Sequence, residues 1–170
     1  DSNICQIIRK DDINEFIPYI NKNGISLDFR IGESIFETNP FLLKNNPNLI
    51  EYSSFFGSIN IFKYLIKNNI KLTPSIWLYG IHGNNPEILH LLEEKQVDFF
   101  KEEKNDFFEC NNDSNAYFCL KESLKCHHND IANYFLENYI DYNQNQYAKN
   151  EIDYVLHYYN YNFFSYNFDN

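Results

Sequence analysis

The chain has no methionine, only five glycines, five prolines and one tryptophan among its 170 residues. Met is missing even from position 1, so the sequence is expected to be a piece of a longer protein, with room for a signal or a further domain outside it. No window comes near the roughly 20 apolar residues that span a bilayer. The start, Asp1-Ser2-Asn3-Ile4, has neither the basic nor the apolar region of a secretory leader. A cytoplasmic protein with no membrane partner is therefore expected. Lys/Arg-rich runs are lacking too: 14 basic residues stand against 24 acidic ones, for a formal net charge of −10. That balance repels a phosphate backbone, which argues against nucleic acid and for a protein partner with a basic surface. Glycines are too few for a phosphate cradle: His82-Gly83-Asn84-Asn85-Pro86 lacks the glycine pattern and the preceding strand of a nucleotide loop, and reads as a turn.

What is present is a folding composition. Hydrophobic residues make up 44% and charged residues 22%, ordinary globular proportions that suffice for one continuous core. Aromatic residues are abundant at 18%, and Asn, Ile and Lys are plentiful. This bias fits an AT-rich coding sequence, so part of the Asn and Tyr excess carries no structural message.

Internal similarity organises the chain. Four segments end a helical pattern alike: Tyr19 to Leu27, Tyr64 to Leu72, Leu91 to Phe99 and Tyr134 to Tyr142. Upstream of each lies an apolar stripe at helical spacing: Ile13, Phe16, Ile17 and Ile20; Ile61, Phe62 and Leu65; Ile88, Leu89 and Leu92; Ile131 and Phe135. Before each stripe comes a polar or glycine-containing break, with Asp12, Ser58, Asn85 and Asp130 as candidate helix caps and Pro86 suited to a first turn. Before each break sits a second short apolar stretch: Ile4 to Ile8, Leu49 to Phe56, Ile76 to Ile81 and Tyr117 to Leu124. Helix, tight turn, helix and extended tail is the unit of an ankyrin-type solenoid.

The array is irregular. With Ile25, Ile70, Val97 and Ile140 as equivalent points, the spacings are 45 residues (25 to 70), 27 (70 to 97) and 43 (97 to 140), against about 33 in a regular ankyrin repeat. One all-α domain over 1–170 is expected. Its units cover 3–28, 48–73, 75–100, 116–142 and 150–170, with inserts at 29–47 and 101–115. The second insert is acidic, and the last unit is a terminal cap running into an aromatic tail that reaches Phe168.

The strings Leu49-Ile50-Glu51-Tyr52-Ser53-Ser54-Phe55-Phe56-Gly57-Ser58-Ile59, Leu72-Thr73-Pro74-Ser75, Tyr79-Gly80-Ile81-His82-Gly83-Asn84-Asn85-Pro86-Glu87 and Cys126-His127-His128-Asn129-Asp130-Ile131-Ala132-Asn133-Tyr134 carry a resemblance. Together they are similar to the ankyrin-like domain of unknown function that is greatly expanded in protist parasites, trichomonads in particular. The resemblance runs from about Asn3 to about Phe168, and the chain departs from the usual ankyrin T-P-L-H-x-A-A run. It implies an ankyrin-repeat fold and a protein-binding role, with no catalytic residues to carry over.

Cys110, Cys119, Cys126, His127 and His128 are the best metal candidates, but they contain no C-x-x-C or H-x-x-x-H pair. Cysteines without a secretory signal read as reduced, buried thiols. Cys126 and His127 are neighbours whose side chains point about 100° apart on a helix, too divergent to share a proton. The acidic stretch from Glu102 to Asp113 lacks the spacing of a calcium loop and reads as solvated. No cofactor and no enzyme activity are expected.

The expected function is a protein-interaction scaffold. Its binding candidates are Glu51, Tyr52, Phe55, Trp77, Tyr79 and His82, in or beside first helices, which line the concave face of ankyrin arrays. Aromatic residues are typical anchors. For Trp77 a core position competes with the contact role, and the usual burial of Trp favours the core. The alternative function is a structural assembly element that docks onto identical chains or a cytoskeletal lattice through the aromatic tail and the solenoid ends.

Overall fold

The computed structural model describes residues 3–32, 37–98, 115–140 and 153–163. The insert 101–115 lies almost wholly outside them, as do the start of the fifth unit and the tail beyond Phe163. Among the described residues the chain is helical, with one isolated antiparallel bridge, Arg30 with Asn48. None of the described helices is long and apolar enough to cross a membrane. The chain divides into two compact units, Asp1–Val97 and Asp98–Asn170, and the boundary falls where the third expected repeat ends.

In the first unit three helix pairs follow one another. They are α1 (Asn3–Arg9) with α2 (Ile13–Asn23), α4 (Leu49–Phe55) with α5 (Ile59–Lys67), and α6 (Ile76–Gly83) with α7 (Pro86–Glu94). A short extra helix, α3 (Pro40–Asn45), lies in the expected insert. The first helices α1, α4 and α6 pack side by side in one layer, and the second helices α2, α5 and α7 in another. Each second helix buries one stripe, Phe16 and Ile20 on α2, Ile61, Phe62 and Leu65 on α5, and Ile88 and Leu92 on α7, and leaves its opposite face in water. Full burial of each such side chain is worth about 1.5–3 kcal/mol.

The turns repeat with the helices. Asp11, Gly57 and Asn84, each between the two helices of a pair, all have positive φ. In each, the turn amide donates to the carbonyl three residues back: Asp11 to Ile8, Gly57 to Ser54 and Asn84 to Ile81. After each second helix another left-handed residue, Gly24, Asn69 or Gln96, reverses the chain. There the amides of Ile25, Ile70 and Val97 reach back five residues to Ile20, Leu65 and Leu92 at 3.0, 3.3 and 3.0 Å. Three of the four residues aligned by sequence thus occupy one hydrogen-bond register, the closing bond of a helix C-terminal motif; the fourth, Ile140, follows α9 in an extended conformation instead.

Caps tie neighbouring pairs together. Asp12 caps α2 by accepting from Glu15 N at 3.0 Å, and Asn85 caps α7 by accepting from Glu87 N at 3.0 Å. Ser58 does not cap α5 as expected; its hydroxyl donates to Ile8 O at 2.6 Å instead. The α5 amides of Asn60 and Ile61 go to the carboxylate of Asp11, each at 3.0 Å, because the left-handed turn aims that side chain at the next pair.

The second unit holds α8 (Asn115–Lys125) and α9 (Asn129–Tyr139), packed as a pair, and a helical stretch over residues 153–157. His127 and Tyr159 are its left-handed turn residues, with the same three-residue bonds to Leu124 and Leu156. His128, not Asp130, stands at the N-cap of α9, and Asp130 lies in the first turn. Buried Asn160, just beyond the 153–157 stretch, ties it to the α8–α9 pair, donating to Leu124 O at 3.0 Å and to Asn129 Oδ1 at 2.8 Å.

Candidate functional site

The six residues expected to receive a partner sit on α4 and α6, but four of them face inward. Glu51, Tyr52, Trp77 and Tyr79 are all buried, so these four do not form an open binding face. The physical reason is crowding. Helix α4 is flanked by α1 and α6 and backed by α5, and Leu49 to Ser54 are buried without a break.

Each buried residue has a structural task. Asn48 and Glu51 form a capping box: Glu51 N donates to Asn48 Oδ1 at 3.0 Å, and Asn48 N donates to Glu51 Oε2 at 2.9 Å. The other Glu51 oxygen accepts from Ser75 Oγ at 3.2 Å, just before α6, and Arg30 stands 3.9 Å from the carboxylate. Tyr52 OH accepts from Arg9 Nε at 2.8 Å, and the guanidinium lies 4.9 Å from the ring centre of Phe56. Trp77 donates its indole N–H to Val97 O at 2.9 Å, which pins the tail of the third pair and makes it a core residue. Burial raises the phenol pKa of Tyr52 and of Tyr79; in Tyr79 the nearby Glu51 charge adds to the shift.

Phe55 and His82 remain half-exposed and form an aromatic slot. Their rings stack at 4.9 Å with 26° between planes. The insert fills it. Phe41, from the first turn of α3, lies 5.9 Å from Phe55 in a stacked arrangement, 4.3 Å from His82, and 5.0 Å edge-on from Tyr79. Helix α3 and Phe41 escaped the sequence reading, although Asn39-Pro40 carried a signal: a cap residue followed by proline at the first helical position. The Asn39 side chain does accept from Phe41 N at 2.9 Å.

The insert is closed at its base and tied at its far side. Ile31 N donates to Pro47 O at 2.8 Å, Leu49 N to Phe29 O at 3.2 Å, and Arg30 to Asn46 O at 3.0 Å. Glu37 makes an ion pair with Arg9 at 3.0 Å. The two large apolar side chains exposed in the described part of the first unit both belong here: Phe29, 46% exposed, and Leu43, 40% exposed.

The metal candidates do not converge. Cys110 lies outside the described residues, and no three of Cys119, Cys126, His127 and His128 bring ligand atoms within sharing distance. Cys119 is buried on α8, His127 is the left-handed turn residue with Nε2 3.1 Å from Tyr158 O, and His128 stands at the start of α9. Burial holds the Cys119 thiol pKa well above its usual range and pushes Cys126 up to about 12, the wrong direction for an active thiolate. The acidic stretch Glu102 to Asp113 lies outside the described residues.

Comparison with family models, with curated proteins and with solved structures finds no match to the chain.

Proposed function

We propose that the chain is a divergent ankyrin-like solenoid of the kind the sequence resembles, that it is not an enzyme, and that it works as a protein-interaction scaffold. The observation that carries this reading is the layered stack of three helix pairs in the first unit, with the same left-handed turns and closing bonds in each of the three, bearing an insert that folds over two first helices and displays Phe29 and Leu43 outward. A stack of this kind presents side chains along a rigid surface and repeats no chemistry-bearing residue from unit to unit. The net charge of −10 favours a partner with a basic surface. The recognition elements are the insert and the Phe55–His82 edge; Glu51, Tyr52, Trp77 and Tyr79 support them from below.

The test is affinity capture from the native cell with the wild-type chain and with a Phe29→Ser, Leu43→Ser double variant whose fold is checked by circular dichroism. A partner recovered with the wild type and lost with the variant is the expected result. Equal recovery by both would overturn the assignment to the insert.

A second reading, a structural assembly element, is favoured by one observation in the second unit. Leu156, Tyr159 and Tyr161 are exposed on the last described turns, at 49%, 73% and 55%. If this patch joins copies of the chain, sedimentation velocity gives concentration-dependent association that a Tyr159→Ser, Tyr161→Ser variant abolishes. A monomer at all concentrations rejects it.

A further inference from the structure

We infer that Asn23–Gly24, at the end of α2, is a self-modification site: the Gly24 amide attacks the Asn23 side chain and, with water, turns it into aspartate or isoaspartate. The inference stands apart from the scaffold reading. Asn23–Gly24 is the one Asn-Gly pair in the chain, and both residues are exposed.

Comparison of the equivalent turns carries it. The chain leaves each second helix of the first unit through a left-handed residue whose amide donates to the carbonyl three residues back. For Asn69 and Gln96 that bond is 2.9 and 2.8 Å, to Ile66 and Glu93; for Gly24, to Asn21, it is 3.4 Å. The attacking nitrogen is thus held most loosely at Gly24. Gly24 is also the only one of the three without a side chain, and beyond its chain neighbours no atom lies within 4 Å of where a Cβ would stand, so the approach to Asn23 is open. The side chain attacked recurs in the second pair only: Asn23 Nδ2 donates to Tyr19 O and Asn68 Nδ2 to Tyr64 O, each at 2.8 Å, while the third pair has Lys95 there. The Asn23 bond is exposed and lies in the last turn of its helix. Helix ends fray at the lowest cost in the element, and fraying frees the backbone to rotate towards the side chain.

In the reaction the Gly24 nitrogen bonds to Asn23 Cγ, the Cγ–Nδ2 bond breaks, and the proton of the Gly24 amide leaves with Nδ2 as ammonia. Water then opens the ring at either carbonyl, giving aspartate or an isoaspartate whose main chain runs through Cγ; no oxidant or reductant takes part. Either product loses the Asn23 bond to Tyr19 and places a carboxylate at the carbonyl end of a helix, where negative charge is unfavourable. The isoaspartate also lengthens the backbone inside the loop that Ile25 N closes to Ile20 O at 3.0 Å. The modification therefore opens the closing bond of the first pair and leaves those of the second and third intact.

The experiment incubates the full chain, and a synthetic peptide of residues 19–28, in mildly alkaline buffer at physiological temperature. Each asparagine is followed by peptide mass spectrometry, with enzymatic methylation to detect isoaspartate. Asn23 of the folded chain is expected to convert at least about tenfold faster than Asn68. Gly24→Asn copies the second pair with a residue that tolerates the left-handed conformation, and it removes that lead. In the aged chain the Ile25 amide exchanges with solvent faster than in the fresh chain, while the Ile70 amide is unchanged. A folded chain that keeps Asn23 intact after the peptide has converted overturns the inference, and so does a smaller lead over Asn68. An Ile25 amide equally protected in fresh and isoaspartate-bearing chains overturns the opening of the first pair.

Discussion

The two helical layers of the first unit use similar lengths of chain in opposite ways. Helices α4 and α6 are buried over Leu49 to Ser54 and Ile76 to Ile81 with no break, whereas α5 and α7 bury a single stripe and turn charged residues such as Lys63 and Glu87 to water. The layer expected to face a partner is therefore the more deeply enclosed one. An ankyrin-like surface read from residue type alone assigns Tyr52 and Tyr79 to contact because aromatic residues anchor interfaces, while for Trp77 the usual burial of Trp already favours the core. The same residues serve equally well as core when an insert and a neighbouring helix cover them.

The largest effect is expected where the first helices approach most closely. A Cβ on Gly83 would stand 2.1 Å from the carbonyl oxygen of Ser54, whereas at Gly80 the nearest atom is the end of the Leu89 side chain, 3.0 Å away. Backbone cannot yield at Gly83 as a flexible side chain would. Gly83→Ala is expected to destabilise the first unit by at least about 3 kcal/mol, measured as a fall in the urea midpoint. A near-neutral result would mean that α4 and α6 are not in direct contact at this point.

Alkaline pH probes burial more broadly, because Tyr52 and Tyr79, on α4 and α6, and in the second unit Cys119 and Cys126 are all held neutral by burial. Their folded pKa values lie above those of the unfolded chain, so their contribution is fully present below the unfolded values. It is lost as pH rises from about 9 towards and through the folded values, of which that of Cys126 is about 12. The urea midpoint is expected to hold steady between pH 7 and about 9 and to fall by pH 10.5; a flat profile to that point would show these groups to be open to water.

A pair of carboxylates sharpens the contrast on the smallest scale. Glu51, on a buried first helix, serves the capping box and Ser75, and Glu51→Ala is expected to cost about 1–3 kcal/mol. Glu87, on an exposed second helix, pairs with Lys63 in water, and Glu87→Ala is expected to cost under about 1 kcal/mol. Equal costs in urea unfolding would erase the distinction between the layers.

Much of the local architecture is legible in the sequence. The apolar stretches of the first helices, the stripes of the second, and the breaks at Asp11, Gly57, Asn84 and His127 all correspond to observed elements, because helical periodicity and turn chemistry act over a few residues. The capping box of Asn48 and Glu51 was readable in principle from its N-x-x-E spacing. Long-range assignments were not. That Asp11 caps α5, that Ser58 bonds to Ile8, and that Phe41 fills the slot on Phe55 and His82 each join residues far apart in the chain, and no local pattern encodes the pairing.

The sequence by itself determined where helices start, turn and stop, since capping, left-handed turn residues and apolar spacing are properties of short segments. Only the tertiary structure decided which aromatic residues support and which are left to bind. Burial depends on what packs on each face: α1, α5 and α6 enclose α4, Val97 holds Trp77, and Phe41 of the insert, on a helix too short to persist alone, lies against Phe55, Tyr79 and His82.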